Sequence, residues 1–361
     1  MTTIDTIRAA LSRFEDRYLG TDLVAAGVVN AVDLDGDRAS VRLQLGFPAN
    51  RYHDSLRQTL SDFLMAQTGL ASVEVQIDTV IATHAVRRQL KPIPGVSNVV
   101  AVASAKGGVG KSTTAANLAV ALAADGASVG ILDADIYGPS QPRILGLQDQ
   151  RPSSRDGKSL EPLEAHGVRC MSIGFLVDPD QPMVWRGPMV TQALTQLLSD
   201  THWGDIDYLI VDMPPGTGDI QLTLSQRVPV SGAVIVTTPQ ELALLDARKG
   251  LQMFRKVEVR VLGIVENMST HICSSCGHEE PVFGSDGGQH MAEQYDAPFL
   301  GSLPLDIRIR EQTDAGVPEV AAHPDSAVSA AYFDIARRMS AGLAAAGKDY
   351  SRLFPNIVVE E

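Results

Sequence analysis

A glycine-rich stretch of this chain has the residue types and spacing that bind phosphate. The stretch "VVAVASAKGGVGKSTT" (99–114) places a glycine-rich turn between an apolar segment and a helical one. Backbone N–H groups in such a turn and at a helix N-terminus point at phosphate oxygens. Lys111 is expected to reach the β- and γ-phosphates of a nucleotide, and the Ser112 hydroxyl to ligate magnesium. The predicted loop comprises Ala105, Lys106, Gly107, Gly108, Val109, Gly110, Lys111, Ser112 and Thr113.

This loop departs from the pattern G-x-x-x-x-G-K-[ST] at its first position, where Ala105 stands in place of glycine. Alanine costs the loop a little conformational freedom and leaves the row of N–H donors intact. A second lysine, Lys106, lies directly before Gly107. The departure therefore leaves the prediction of a phosphate-binding loop in place.

Three acidic residues are predicted at strand ends, where they could hold magnesium and activate water. Asp133 and Asp135 end the apolar part of "VGILDADIYGPS", and Asp212 ends that of "YLIVDMPPGTGD". Four apolar residues followed by an acid are typical of a Walker B strand, whose carboxylate holds magnesium through water. Gly216 follows at the position of a backbone amide that senses the γ-phosphate. Ligands bind at these carboxyl ends in open α/β sheets, so the acids are expected beside the loop.

A second candidate site is the pair Cys273 and Cys276, whose spacing can chelate one metal ion or one edge of a cluster. Zinc takes four ligands, and the third cysteine, Cys170, is predicted to be a buried core thiol. A twofold dimer brings two copies of one loop together and gives four thiolates. By count alone, a 4Fe–4S cluster and a structural zinc fit equally well. His271 and His278 are expected to support this loop or to lie on the surface rather than to bind metal.

These residues require a parallel sheet to position them, and the sequence predicts one. Continuous apolar segments ("VVAVAS", "SVGILD", "IDYLIVD", "GAVIVTT", "VRVLGIVE") alternate with helical stretches such as 189–199 and 241–256. Apolar strands that alternate with helices indicate a mostly parallel, doubly wound α/β sheet with helices on both faces. This domain is predicted to span residues 99–361.

A small α+β domain is predicted before it, over residues 1–86. A helix is expected at 4–18, a hairpin around Asp35-Gly36, a second helix at 53–67 and a strand within 71–81. The charged, proline-broken stretch "RRQLKPIPGVSN" (87–98) is predicted to be a linker.

Composition excludes several classes of function. The net charge of −13 argues against a broad grip on nucleic acid, which needs basic surface. No apolar run approaches the roughly 20 residues that cross a bilayer, and the first residues lack the apolar core of a signal peptide. Three cysteines cannot form a disulfide framework, which fits a reducing compartment. We therefore expect a cytoplasmic protein that binds neither nucleic acid nor membrane.

Taken together, the motifs resemble those of one family. "KGGVGKST", "DADIYGPSQP", "WRGPMV", "DYLIVDMPPGTGD" and "NMSTHICSSCGHEEPVFGSDGG" are similar to the Mrp/ApbC family of iron–sulfur cluster carriers. That family belongs to the deviant-Walker branch of P-loop ATPases, which also includes MinD and ParA. The resemblance covers about residues 99–320, and the N-terminal part resembles the MIP18-type domain that often precedes it.

The resemblance implies roles for individual residues. Lys106 matches the lysine that reaches the nucleotide of the other subunit in an ATP sandwich dimer. Asp135 matches the acid that positions the attacking water, Asp133 its companion near magnesium, and Asn267 the asparagine that reads adenine. Cys273 and Cys276 of both subunits are then expected to hold a labile 4Fe–4S cluster across a homodimer. The expected activity is slow ATP hydrolysis, with Mg²⁺, coupled to transfer of the cluster to apo iron–sulfur proteins.

The alternative is a partitioning or positioning ATPase of the ParA/MinD type with a structural zinc at the cysteine pair. Membrane binding of the MinD type needs a short basic amphipathic tail, whereas this sequence ends in "FPNIVVEE". DNA binding of the ParA type needs a basic face, which the net charge disfavours. Neither relative requires the cysteine pair. A phosphate-transferring kinase is disfavoured too, because the sequence has no motif for a second substrate.

Overall fold

The computed structural model describes residues 2–84, 90–154, 156–177, 187–273 and 275–346. The start of the predicted linker, the Trp185-Arg186 part of one motif and the "FPNIVVEE" tail lie outside these residues. The chain divides into two compact units. The first comprises Met1–His84, Ala124–Gly126 and the described part of Ser340–Glu361, and the second comprises the described residues of Ala85–Ala123 and Ala127–Met339.

The first unit is a small α+β fold. Its helices are α1 (Ile4–Leu11) and α2 (Asn50–Thr68), and its strands are β1 (Val29–Asp35), β2 (Arg38–Leu45) and β3 (Ser72–Thr79). The strand order is β1-β2-β3, with β1 and β2 antiparallel and β2 and β3 parallel. Alternate residues of β2 and β3 are buried, so one face of the sheet lies against the core. The predicted hairpin, second helix and following strand are confirmed.

The first helix is shorter than predicted and ends at Leu11 instead of continuing to Tyr18. At the predicted end of the helix lies the carboxylate of Asp16, which is only 3% exposed. Asp16 Oδ1 accepts hydrogen bonds from the backbone N–H of Tyr18 at 2.8 Å and of Leu19 at 3.1 Å. A carboxylate that bonds the backbone two and three residues ahead stabilises a turn in place of another helical turn.

The second unit contains the large sheet. Its strands are β4 (Val96–Ala103), β5 (Val129–Asp133), β6 (Leu163–Ala165), β7 (Val168–Ser172), β8 (Ile206–Asp212), β9 (Gly232–Thr237), β10 (Val261–Glu266), β11 (His271–Ile272), β12 (Glu279–Glu280) and β13 (Phe299–Ser302). Eight of them form one sheet in the order β13-β10-β9-β4-β8-β5-β7-β6, and β11 pairs with β12 alone. Only the edge strand β6 is antiparallel to its neighbour. The predicted parallel sheet is confirmed.

The helices between or after these strands are α3 (Lys111–Ala124), α4 (Gln141–Ile144), α5 (Gly187–Asp200), α6 (Asp219–Arg227), α7 (Glu241–Lys256), α8 (Gly287–Gln294), α9 (Ile307–Asp314), α10 (Glu319–Ala322) and α11 (Ala327–Ala344). The last residues of α3 and α11 group with the first unit. The predicted helices at 189–199 and 241–256 correspond to α5 and α7. No helix of the described residues is long and apolar enough to span a membrane.

The two units differ from the predicted domains at two boundaries. Strand β4 begins at Val96, inside the stretch predicted to be linker, because Val96 pairs in register with Ile206 of the neighbouring strand. At the other end, residues from Ser340 group with the first unit and not with residues 99–339. Ala341 explains this grouping, since it is only 3% exposed and belongs to the hydrophobic core of the first unit.

Candidate functional site

The predicted phosphate loop lies between the central strand β4 and helix α3. Gly108 and Gly110 have φ of +81° and +79°, in the left-handed region that favours glycine. The backbone N–H and the hydroxyl of Thr114 both donate to the carbonyl of Gly110 at 2.9 Å, which fixes the start of α3. The glycine positions of the sequence motif therefore serve a tight turn that leads directly into a helix N-terminus.

A cavity of about 460 Å³ lies beside this loop. Six loop residues line it: Gly107, Gly108, Gly110, Lys111, Ser112 and Thr113. Asp135 lies in the same wall, as predicted, together with Arg143, Thr313 and Asp314, which sequence reasoning missed. No motif marks these three, because α4 and α9 bring them to the loop from distant parts of the chain. The volume lies in the range typical of small-molecule sites.

Lys111 and Asp212 form a buried ion pair at the base of the loop. Lys111 is 6% exposed and Asp212 is fully buried. The Lys111 ammonium also donates to the Ser112 hydroxyl at 3.1 Å. Carboxylate and hydroxyl oxygens are the ligands that Mg²⁺ prefers, so Ser112 and Asp212 fit the predicted magnesium site. There Ser112 would bind the ion directly and Asp212 would hold it through water.

Gln141 joins this network and was not predicted. Its side-chain amide donates to the carbonyl of Ser112 at 3.0 Å and to the carboxylate of Asp212 at 2.9 Å. The side chain is fully buried, and its Oε1 atom has no hydrogen-bond partner among the described residues. A buried amide that bridges the loop and the strand-end acid fixes the orientation of that acid.

Asp133 lies beside Asp212, with which it pairs in register, and so close to the predicted magnesium site. Its carboxylate is fully buried and accepts backbone N–H groups of Ser140 at 2.9 Å and Gln141 at 3.0 Å. Burial, and then the neighbouring charge of Asp212, raises the pKa of Asp133 to about 7. These contacts order the segment that follows β5 and carries Asp135.

Asp135 has the exposure expected of a group that meets a ligand. It is half-buried in the cavity wall, and its carboxylate accepts the backbone N–H of Gly138 at 3.4 Å. Burial raises the pKa of Asp135, while the charge of Lys111 lowers it. A carboxylate with a raised pKa is a better proton acceptor near neutral pH.

Two further predicted site residues, Lys106 and Gly216, differ in their surroundings. Lys106 is exposed, and its reach to a second subunit stays a prediction. The amide of Gly216, predicted to sense a γ-phosphate, donates to the carbonyl of Ser104 at 3.0 Å. This amide must leave Ser104 before it can bond to a phosphate.

Asn267 follows β10 and lies against the phosphate loop. Its side-chain Nδ2 donates to the carbonyl of Val109 at 2.9 Å, and the residue is 7% exposed. The structure therefore places Asn267 at the loop. Its reading of adenine stays a prediction.

The cysteine pair lies in the loop of the β11–β12 hairpin, in which His271 pairs with Glu280. The backbone N–H of Cys273 donates to the carbonyl of His278, and that of Gly277 to the carbonyl of Cys273, both at 2.9 Å. Cys273 is half-buried and Cys276 is exposed. The hairpin therefore presents two thiols at the surface of the second unit.

The local backbone favours the thiolate of Cys273. The N–H of Cys276, followed by that of Ser275, donates to the Cys273 sulfur and lowers its pKa. Within the part of the chain that the structure describes, no group of three or more His, Cys, Asp or Glu side chains could hold a metal ion. The imidazole Nδ1 of His271 lies 3.1 Å from the carbonyl of Leu305. Cys170 is fully buried in β7, as predicted, and burial raises the pKa of its thiol.

Comparisons with known proteins match both units of the chain. Residues 95–340 match a family model described as NUBPL iron-transfer P-loop NTPase, and residues 4–77 match one described as iron–sulfur cluster assembly protein. The chain is 50% identical over 337 residues to the iron–sulfur cluster carrier protein of Escherichia coli, covering 93% of this chain and 91% of that protein. It is 53% identical over 248 residues to the iron–sulfur cluster transfer protein NUBPL of Mus musculus, covering 68% and 77%.

Solved structures agree with the fold. A nucleotide-binding protein from Archaeoglobus fulgidus in complex with ADP is 39% identical, with a TM-score of 0.56, and covers 62% of this chain and 87% of that one. The cell division ATPase MinD of Pyrococcus furiosus is 23% identical, with a TM-score of 0.50, covering 67% and 97%. The second likeness concerns the fold alone.

Proposed function

Because the chain belongs to the iron-transfer P-loop NTPase family, whose curated members include iron–sulfur cluster carrier proteins, we propose that it carries a labile 4Fe–4S cluster to recipient apoproteins and hydrolyses ATP as a slow switch. The cluster is the cargo, and ATP with Mg²⁺ occupies the cavity beside the phosphate loop. The protein acts as a homodimer. The observation that carries the proposal is the exposed cysteine hairpin in the same unit as a phosphate loop.

Each chain offers only two thiolates at the hairpin, and this supports a dimeric arrangement. Cys273 and Cys276 supply two thiolates, and the described residues offer no third ligand beside them. A twofold axis beside the hairpin brings the two hairpins together, so the two chains offer four thiolates, which is the number that a 4Fe–4S cluster takes. A cluster held by two thiolates from each chain is released when the two hairpins separate.

The geometry of the cavity supports ATP hydrolysis. Lys111 and the loop N–H groups neutralise and position the phosphates, while Ser112 and Asp212 would hold a magnesium ion, which would supply further positive charge at the phosphates. Asp135 orients water for attack on the γ-phosphorus and accepts its proton: the new O–P bond forms as the bond to the β,γ-bridging oxygen breaks and ADP leaves. Lys106, exposed on the loop, reaches the nucleotide of the partner subunit. Positioning and charge neutralisation therefore provide most of the catalysis.

The test is transfer of the cluster to an apo-acceptor after anaerobic reconstitution. We expect wild type to transfer the cluster, and Cys273→Ala and Cys276→Ala to lose both cluster and transfer. Cys170→Ala is the matched control, because its thiol is buried in β7, and it is expected to retain both. Retention of the cluster by Cys273→Ala would contradict the assignment of the site.

Lys111→Ala tests ATP hydrolysis separately from cluster binding. Without the lysine the variant cannot neutralise the phosphates, so hydrolysis is expected to be lost and cluster delivery impaired, while the hairpin still binds the cluster. Steady-state phosphate release and acceptor reconstitution measure the two properties. Wild-type ATP turnover in this variant would refute the assignment of the phosphate loop.

A further inference from the structure

Helix α4 brings a positively charged residue, Arg143, to the wall of the cavity beside the phosphate loop. Among the described residues, the basic side chains in this wall are those of Lys111 and Arg143. Lys111 is buried and paired with Asp212, whereas Arg143 is exposed. Within the part of the chain that the structure describes, no hydrogen bond or ion pair holds the Arg143 guanidinium. This guanidinium is therefore available to a ligand of the cavity.

Contacts at both ends of α4 fix its position relative to the loop. The side-chain amide of Gln141, the first residue of the helix, donates to the carbonyl of Ser112 at 3.0 Å. Beyond the other end, Gly146 packs against the turn after α9: a Cβ atom added to it would lie 2.9 Å from the carbonyl oxygen of Gly316. Arg143 lies between these two contacts. Its backbone is therefore held beside the phosphate loop before a ligand binds.

The charges around the cavity favour a further cation in its wall. The charge of Lys111 is balanced by Asp212, and Asp135 adds a negative charge to the wall when it is ionised. Asp314, in the same wall, is balanced by Arg310, whose guanidinium donates to it at 3.0 Å. Without the arginine of α4 these groups carry one net negative charge, and with it they carry none. A magnesium nucleotide is itself negative, so this arginine removes a repulsion that would oppose its binding.

We propose that Arg143 binds the phosphates of the nucleotide from the same chain as the phosphate loop. Its planar guanidinium can donate two parallel N–H groups to phosphate oxygens, a geometry that a lysine ammonium lacks. The contact is to the phosphates that ADP and ATP share, because α4 is bonded to Ser112 at the start of α3, where the loop N–H groups cradle the α- and β-phosphates. Arg143 thus supplies, within one subunit, the positive charge that Asp212 balances on Lys111. This inference rests on the proposed function, whose nucleotide site it completes.

Calorimetric titration of Mg-ADP into cluster-free protein tests this contact. Arg143→Ala is expected to weaken Mg-ADP binding by about tenfold or more, because a charge-assisted hydrogen bond is lost. Arg143→Gln, which has a long polar side chain without the charge, should show the same loss, and Arg143→Lys should recover part of it. The affinity of Arg143→Ala should also depend less on salt concentration than that of wild type, because salt screens the ionic contact that the variant lacks.

The matched control is Arg260→Ala, which should bind Mg-ADP as wild type does. Arg260 is exposed and directly precedes β10, at the amino end of the parallel strands, whereas the phosphate loop follows the carboxyl end of β4.

Wild-type affinity in Arg143→Ala would overturn the inference. An affinity loss with the salt dependence of wild type would overturn it too, because the arginine would then act through the fold and not through its charge. A wild-type protein that does not bind Mg-ADP would contradict both this inference and the proposed ATP hydrolysis. Because the titration uses cluster-free protein, failure to bind a 4Fe–4S cluster would count against the proposed cargo alone.

Discussion

Replacing Lys111 with alanine removes the positive half of a buried ion pair. Asp212 is fully buried, so water cannot take the place of the lost ammonium. Breaking a buried pair by removing one partner typically costs 3–5 kcal/mol of folding free energy. Asp212 keeps the hydrogen bond from Gln141 at 2.9 Å, which compensates part of the loss. We therefore expect the lower end of the range, about 3 kcal/mol.

Urea unfolding of nucleotide-free protein, followed by tryptophan fluorescence, measures this cost. Trp203, one of the two tryptophans, is buried in the second unit, so its fluorescence reports on the unit that contains the pair. With a typical urea dependence for a unit of this size, the midpoint is expected to fall by about 1 M. The double variant Lys111→Met with Asp212→Asn removes both charges. Its loss of stability should be smaller than the sum of the losses in Lys111→Met and Asp212→Asn by about 1 kcal/mol or more.

A Lys111→Ala midpoint within error of wild type would refute the buried ion pair. Additive effects in the double variant would refute the coupling between Lys111 and Asp212. Either result would also remove the structural reason for placing Lys111 at the base of the phosphate site.

Three further predictions concern the same unit. Gln141→Leu removes the amide that donates to Ser112 and Asp212, which should cost about 1–2 kcal/mol of folding free energy. It should also raise the Mg²⁺ concentration needed for ADP binding. Calorimetric titrations of ADP identical to those of wild type would contradict this expectation. In Gly110→Ala the added Cβ would lie 2.2 Å from Asn267 Nδ2 on a residue with a φ of +79°, so the loop must change shape and ADP affinity should fall by about tenfold or more. The control Gly342→Ala has open space around its Cβ and should bind ADP as wild type does. Because the pKa of Asp133 is raised to about 7, the folded protein binds this proton more tightly than the unfolded chain. The stability that the proton contributes is therefore present below about pH 4 and lost as the pH rises to about 7. In Asp133→Asn the urea midpoint should depend less on pH across this range. A pH dependence equal to that of wild type would show that Asp133 does not bind this proton.

The sequence predicts the sheet and the loop because both depend on local patterns. Continuous apolar strands and a glycine turn before a helix are recognisable without long-range information, and β4, α3 and Asp212 lie as expected. The first helix was predicted too long, because the turn that replaces its end depends on the buried carboxylate of Asp16. Strand β4 begins three residues before its predicted start at Val99. Its first residues extend the strand because they pair with β8, which the local sequence does not reveal.

The parts of the site that were missed depend on tertiary contacts. Gln141 looks like an ordinary loop residue until α4 places its amide between Ser112 and Asp212. Thr313 and Asp314 reach the cavity wall from α9, about 200 residues after the loop. Asp133 lies beside Asp212, and only the structure shows that its carboxylate is fully buried.

Metal analysis with a visible spectrum after anaerobic reconstitution identifies the cargo. We expect a brown protein with about two iron and two sulfide per chain, the content of one 4Fe–4S cluster per dimer. Cys273→Ala should be colourless under the same conditions. A colourless wild-type protein that holds one zinc ion per dimer would show that the cysteine pair is a structural zinc site and not a cluster site.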